Sequence, residues 1–171
     1  MDSTIKKINY FLIICILTLI CVSCDSDEEP EQNTEQPGAY VATIDGETID
    51  FLYQPRAVLA TCNDTPCVWL DGRTSDFSKE FNITILNLTT TGTYDIGGTS
   101  NNTSYYSFSP PEGGIVTAYG TSSEGDPSGE VNVTSYNGNT IKGNFNFILI
   151  RVDDPSIELP VSGTFDLIVS D

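Results

Sequence analysis

The stretch Ile141-Lys142-Gly143-Asn144-Phe145-Asn146-Phe147-Ile148-Leu149 indicates most clearly which fold this sequence specifies. Ile141, Phe145, Phe147 and Leu149 occupy every second or fourth position, so they lie on the same face of an extended strand. An amphipathic helix would need apolar residues every three or four positions instead. The stretch therefore predicts a long β-strand with one face in a hydrophobic core.

A second stretch, Val161-Ser162-Gly163-Thr164-Phe165, begins 20 residues after Ile141 and has the same pattern as Ile141–Phe145. Two copies are too few for a solenoid, in which three or more repeats stack. We interpret the two stretches as neighbouring antiparallel strands that face one core.

Similar alternation continues through the chain after residue 38, between short segments rich in Gly, Asn, Asp and Pro. Asp45-Gly46 and Asn137-Gly138 are turn signals, because tight hairpins need residues that tolerate positive φ. We predict an all-β domain, an antiparallel β-sandwich of about ten strands, with a closed lipocalin-like barrel as the alternative. The aromatic residues expected to dominate the core are Phe81, Phe145, Phe147, Phe165 and Trp69.

The N-terminus has the features of an export signal. Lys6 and Lys7 precede an apolar run, 10–22, that is too short to span the ~30 Å hydrocarbon core as a helix. Cys21-Val22-Ser23-Cys24 resembles the lipobox of bacterial lipoproteins, although leucine is usual where Cys21 stands. The resemblance implies a signal peptide at 1–23 and a diacylglycerol anchor on Cys24. An uncleaved membrane anchor is the alternative.

Residues 24–38 are rich in Glu, Gln, Asn and Pro and contain no basic residue. Such a composition buries too little apolar surface to fold, so we predict a disordered acidic tether before an all-β domain at 39–171. The segment Asp25–Glu29 resembles the signal that directs Bacteroidota lipoproteins to the exterior of the outer membrane. Asp25 alone also resembles an inner-membrane retention signal of enteric bacteria, so we expect surface display with that alternative open.

Charge and residue types exclude several function classes. The domain 39–171 has 5 basic and 17 acidic residues, a net charge of −12, so we expect no nucleic acid partner. The whole chain contains no histidine, which removes Ser-His-Asp relays, Cys-His relays and the usual zinc sites. We predict that the protein is not an enzyme.

The cysteines fall into two groups. The lipobox resemblance implies that Cys15 and Cys21 leave with the signal peptide and that Cys24 carries lipid. We therefore expect Cys62 and Cys67 to form a disulfide across a turn-like tetrapeptide. We expect no metal and no other cofactor. Calcium bound by the oxygen-rich segment 71–76 is the alternative.

The leading hypothesis is a non-catalytic surface module with a structural or accessory role, or one that binds an envelope protein or a glycan. Flat rings suit sugars, and the candidate side chains are Trp69, Tyr105, Tyr106, Tyr119 and Tyr136. Tyr105 and Tyr106 are adjacent in a strand, so they must point to opposite faces.

Two other functions stay open at this stage. The first is a carrier of a small molecule or lipid, which needs a barrel cavity. The second is a carboxylate-based glycoside hydrolase, which needs two acids in one cleft. The candidate acids are Asp71, Asp76, Glu80, Asp95, Glu112 and Glu130.

Four landmarks suggest a family: Ala42-Thr43-Ile44-Asp45-Gly46, Gly92-Thr93-Tyr94, Ile141–Phe145 and Gly163-Thr164-Phe165. Together they resemble small uncharacterised lipoproteins of Bacteroidota. The resemblance implies an all-β domain behind a lipid anchor, and it implies no activity or ligand.

Overall fold

A computed structural model describes residues 38–110 and 112–171. The predicted signal peptide, Cys24 and the predicted tether lie outside the described residues. The described part contains 11 strands, one turn of 3-10 helix at Gly98–Ser100 and no α-helix. The strands are β1 (Ala39–Ile44), β2 (Glu47–Asp50), β3 (Tyr53–Cys62), β4 (Thr65–Arg73), β5 (Lys79–Leu86), β6 (Gly92–Ile96), β7 (Thr103–Phe108), β8 (Thr117–Gly120), β9 (Gly129–Tyr136), β10 (Thr140–Arg151) and β11 (Glu158–Ser170).

The strands form one mixed sheet that folds into two layers. We call the strands β2-β1-β11-β10-β9-β6 the first layer and β3-β4-β5-β7-β8 the second layer. The layers join where the long strands change partners: Val169 and Ser170 of β11 pair in parallel with β3, and Ile150 and Arg151 of β10 pair with β8. The all-β prediction is confirmed, with one continuous sheet forming both layers.

The two similar stretches of sequence, Ile141–Phe145 and Val161–Phe165, lie in the neighbouring strands β10 and β11. They pair antiparallel, with Gly143 opposite Phe165 and Phe145 opposite Gly163. A Cβ atom on Gly143 would lie 2.6 Å from Cζ of Phe165, and one on Gly163 would lie 2.5 Å from Cζ of Phe145. Each phenylalanine ring therefore covers the glycine of the neighbouring strand, and only glycine leaves room for it.

Aromatic rings fill the space between the layers. The ring of Phe81, on β5, lies 5.6 Å from that of Tyr40 and 5.4 Å from that of Phe145, both in the first layer. Gly72 makes room on β4, because a Cβ atom there would lie 2.7 Å from Cδ1 of Tyr40. The predicted burial of four phenylalanines is confirmed: Phe81, Phe145, Phe147 and Phe165.

The expectation that Trp69 lies in the core is wrong, because its side chain is 46% exposed. Val68 and Leu70 are the inward residues of β4, so Trp69 between them faces outward. The run Val68-Trp69-Leu70 is apolar at every position, and such a run does not show which of its faces is buried.

Two tight turns follow from their residues. Asp45 and Gly46 join β1 to β2 with φ of 51° and 79°, both positive as predicted for this dipeptide. Asn63 and Asp64 join β3 to β4 with φ of 47° and 64°. This second turn directs Cys62 and Cys67 to the same outward face of the second layer.

Candidate functional site

The five candidate rings lie in three places. Trp69 and Tyr105 point outward from the second layer, and Tyr105 is 38% exposed. Tyr106 points inward and is only 6% exposed, so adjacent Tyr105 and Tyr106 do face opposite ways. Tyr119 lies against Tyr106, with ring centroids 6.1 Å apart, and Tyr136 packs partly buried against the core. The structure therefore brings two of the five rings to one outer face.

A groove of about 510 Å³ lies beside Trp69 on this face. We call it the Trp69 groove. Its floor is made by Trp69, Thr84 and Thr103, which are neighbours across β4, β5 and β7. Among the described residues, its lining contains no charged side chain, although the domain is strongly acidic.

Two loops form the wall of the groove. Gly98 N donates to the carbonyl oxygen of Ser122 at 2.8 Å, which joins the loops. Asn102 is buried, and its amide donates to the Asp95 carbonyl and accepts from the Leu86 amide nitrogen, both at 2.8 Å. These contacts connect β5 with β6 and hold the wall in place before any ligand arrives.

A disulfide lies beside the indole of Trp69 on the same outward face. Cys62 and Cys67 are bonded, with Cα atoms 5.8 Å apart, so the disulfide prediction is confirmed. Trp69 Nε1 donates to Sγ of Cys62 at 3.1 Å. Because this bond uses the only polar group of the indole, the ring presents an apolar face to the solvent.

Several polar side chains of the groove have no partner. The side chains of Asn102 and Ser122 form hydrogen bonds with backbone groups. Within the part of the chain that the structure describes, no other side-chain hydrogen bond forms at five lining residues: Asn63, Thr65, Thr84, Thr103 and Ser123. The groove therefore combines one exposed ring with hydroxyl and amide groups that are available to a ligand.

A smaller pocket, of about 280 Å³, opens at the opposite end of the two layers. Tyr106 and Tyr119 line it, and Lys79 Nζ bonds Oε1 of Glu47 at 2.7 Å near the pocket. Burial, and to a smaller extent Glu47 and Tyr119, raises the pKa of Tyr106 to about 12. Its hydroxyl is therefore protonated at neutral pH.

The candidate acids do not gather in a cleft. Asp71 pairs with Arg56 at 3.5 Å, and Glu80 pairs with Arg73 at 3.0 Å. Glu112 is exposed, and Asp95 and Glu130 are opposite one another on β6 and β9 but both exposed. These positions are those of solvated surface groups.

In the calcium candidate 71–76, the Asp76 carboxylate is hydrogen-bonded by neighbouring hydroxyl groups. Thr74 and Ser78 donate to the Asp76 carboxylate, and these bonds lower its pKa to about 2. Gly72 faces the core rather than the loop. Among residues 38–110 and 112–171, no three acidic or cysteine side chains come together as a metal site.

The profile of one protein family matches residues 41–168, and it is described as a Domain of unknown function (DUF6252). The chain belongs to this family. No curated protein and no solved structure matches the chain. Within the described DUF6252 domain, no helix has the length and apolarity to cross a membrane.

Sequence reasoning alone did not find most of the groove in this DUF6252 domain. Trp69 and the cysteine pair were identified, but the five available polar residues come from four separate segments of the chain. Thr, Ser and Asn are common on any strand surface, so their types carry no signal. The spacing of Trp69 two residues after Cys67 was the one local hint, since both side chains then share a face.

Proposed function

We propose that this protein is a non-catalytic surface lipoprotein, anchored through Cys24 to the exterior of the outer membrane, whose domain binds a glycan in the Trp69 groove. The N-terminal pattern supports the anchor and its location, since Cys21–Cys24 resembles a lipobox and Asp25–Glu29 resembles an export signal. The resemblance to small Bacteroidota lipoproteins supports the same address. The acidic tether would place the domain away from the membrane.

The observation that carries the proposal is the exposed indole beside uncharged polar groups. A sugar ring has apolar faces of C–H groups and an edge of hydroxyl groups. Trp69 offers an apolar ring to the face, and the free side chains of Thr84, Thr103 and Ser123 offer partners to the edge. The exposed part of this indole, 46% of its surface, is accessible to such a ligand.

The carrier and hydrolase alternatives receive less support. The space between the layers is occupied by packed rings such as Phe81, Phe145 and Phe147, where a carrier needs a cavity. A glycoside hydrolase needs two acids ~5–9.5 Å apart around one bond. Asp71 and Glu80 instead bond arginines, and Asp76 bonds its own turn.

The test uses the mature chain, residues 24–171, with Cys24→Ser so that the protein stays out of the membrane. Trp69 is the only tryptophan, so its fluorescence reports directly on the groove. Titration with polysaccharides extracted from bacterial envelopes and from plant and fungal walls is expected to change its emission saturably. Calorimetry then measures Trp69→Ala, for which we expect about 30-fold weaker binding, or about 2 kcal/mol.

The matched control is Phe77→Ala, which removes an exposed ring outside the groove, 54% exposed. It should bind like the parent chain. If no polysaccharide binds, or if Trp69→Ala binds as well as the parent, glycan binding at this groove is wrong. Surface exposure is tested separately, by releasing the domain from intact cells with protease.

A further inference from the structure

We infer that the ligand is an uncharged oligosaccharide with at least two sugar positions, one on Trp69 and one on Tyr105. This inference rests on the proposed function and adds the length, direction and charge of the ligand. It starts from the register of three neighbouring strands. Trp69 is opposite Thr84 across β4 and β5, and Thr84 is opposite Thr103 across β5 and β7.

The two rings share one face at a defined separation. Tyr105 follows Thr103 by two residues on β7, so it points to the same side as Thr103 and Trp69. Two strand spacings across the sheet and two residues along it place the Cα atoms of Trp69 and Tyr105 about 12 Å apart. One hexose ring is too small to contact both side chains, so a ligand that uses both rings has two or more sugars.

The surface between the rings is polar and uncharged. Thr84 and Thr103 lie beside Trp69, and Asn82 is directly opposite Tyr105. The side chain of Asn82, like those of both threonines, forms no hydrogen bond within the described residues. A continuous line of available hydroxyl and amide groups therefore joins the two rings, which suits the hydroxyl-bearing edge of a sugar chain.

Charge decides against acidic glycans. The groove lining has no lysine or arginine to pair with a carboxylate or sulfate group. Asp71 is the acid nearest this line, opposite Asn82, and it bonds Arg56. The domain carries a net charge of −12, which repels polyanions at low salt. An uncharged oligosaccharide needs no cationic partner and is not repelled by the negative charge of the domain.

The experiment uses the same mature chain with Cys24→Ser and defined oligosaccharides. The probes are neutral ladders of one to six hexoses with β-1,4, β-1,3 and α-1,4 linkages, together with polygalacturonate and alginate as anionic polymers. We expect affinity for one neutral ladder to rise at least tenfold between one and three sugars and then to level off. Trp69 emission and calorimetry both measure it.

The decisive variant is Tyr105→Ala. It should remove the gain with chain length, so that three sugars bind no more tightly than one, because only the Trp69 position remains. Tyr53→Ala is the matched control, since Tyr53 is 39% exposed and Tyr105 38%, but Tyr53 lies on β3 opposite Arg73, away from the line between Trp69 and Tyr105. Asn82→Ala is a second variant that weakens only the longer sugars. Circular dichroism and thermal unfolding confirm that each variant folds.

The outcomes separate this inference from the proposed function. If long and short neutral sugars bind equally, or if Tyr105→Ala keeps the length dependence, the two-position inference is overturned while glycan binding stands. Preferential binding of polygalacturonate or alginate overturns the uncharged ligand. If no probe binds and Trp69 emission never changes, the proposed function itself fails.

Discussion

The outward faces of the two layers differ in what they offer to a partner. On the first layer, Lys142 is opposite Asp166 and bonded to it at 3.1 Å, and Asn144 is opposite Thr164. On the second layer, Trp69 and Tyr105 are exposed near Thr84 and Thr103, whose side chains form no hydrogen bond within the described residues. The large apolar side chains that β10 and β11 expose are aliphatic, Ile148 and Ile168. The second layer therefore presents exposed aromatic rings, and it is on this face that we propose a ligand binds.

The two layers differ as well in the contacts that stabilise them. The first layer depends on close approach of backbone and rings at Gly143 and Gly163. The second layer has a disulfide at one end of the β3–β4 hairpin, and this disulfide also supports Trp69. Substitutions in the first layer should therefore affect folding alone, while substitutions near the disulfide should affect folding and binding together.

The largest expected effect comes from Gly163→Ala. Its Cβ would meet the Val41 carbonyl oxygen and lie 2.5 Å from Cζ of Phe145, and strand backbone cannot move aside easily. We expect a loss of about 3 kcal/mol in the free energy of unfolding, measured by urea denaturation. The control is Thr164→Ala, one residue along on the outward face, which should cost no more than about 0.5 kcal/mol. Equal losses in the two variants would contradict the reciprocal packing of β10 and β11.

The next effect in size is that of the double variant Cys62→Ser/Cys67→Ser. Opening this short loop should cost about 2 kcal/mol in the free energy of unfolding. It also removes the sulfur that accepts the bond from Trp69 Nε1, so the indole should become more mobile and its fluorescence anisotropy should fall. If stability falls and the anisotropy does not, the disulfide holds the hairpin without positioning the ring.

The smallest effect is a gain in stability from Tyr40→Phe. The Tyr40 hydroxyl is buried and has no hydrogen-bond partner among the described residues. Removing it should stabilise the fold by about 1 kcal/mol, because the unpaired group no longer has to leave water. Tyr105→Phe, on the outer face, should change stability by no more than about 0.3 kcal/mol. A loss of stability in Tyr40→Phe would mean that the hydroxyl has a partner.

The same variant has an expected dependence on pH. Burial first, and then Asp71, raises the pKa of Tyr40 well above its ordinary value of 10.0. The folded chain thus keeps this proton at pH values where the unfolded chain loses it. The free energy of unfolding therefore does not change through Tyr40 below pH 10, and it falls as pH rises further. Denaturation between pH 9 and pH 11 should show a shallower loss in Tyr40→Phe than in the parent chain, with the remainder due in part to Tyr106.

Much of the fold follows from the sequence because alternation with a period of two has one structural meaning. The strands around Ile141 and Val161, the turn at Asp45-Gly46 and the burial of four phenylalanines were all predictable in this way. Which residues of β4 face the core was not predictable, since Val68, Trp69 and Leu70 are all apolar. Only the pairing of Trp69 with Thr84 on β5 shows which side of the strand faces the solvent.

The sequence by itself determined the all-β class, the pairing of Cys62 with Cys67 and the assignment of Tyr105 and Tyr106 to opposite faces. These three features depend on residue type and on spacing over a few residues, which do not change with the tertiary structure. The tertiary structure alone decided that Trp69 faces outward and that Thr84, Thr103 and Ser123 meet beside it. Contacts between residues far apart in sequence arise from strand order and register, and these follow from the packing of the whole core rather than from any local pattern.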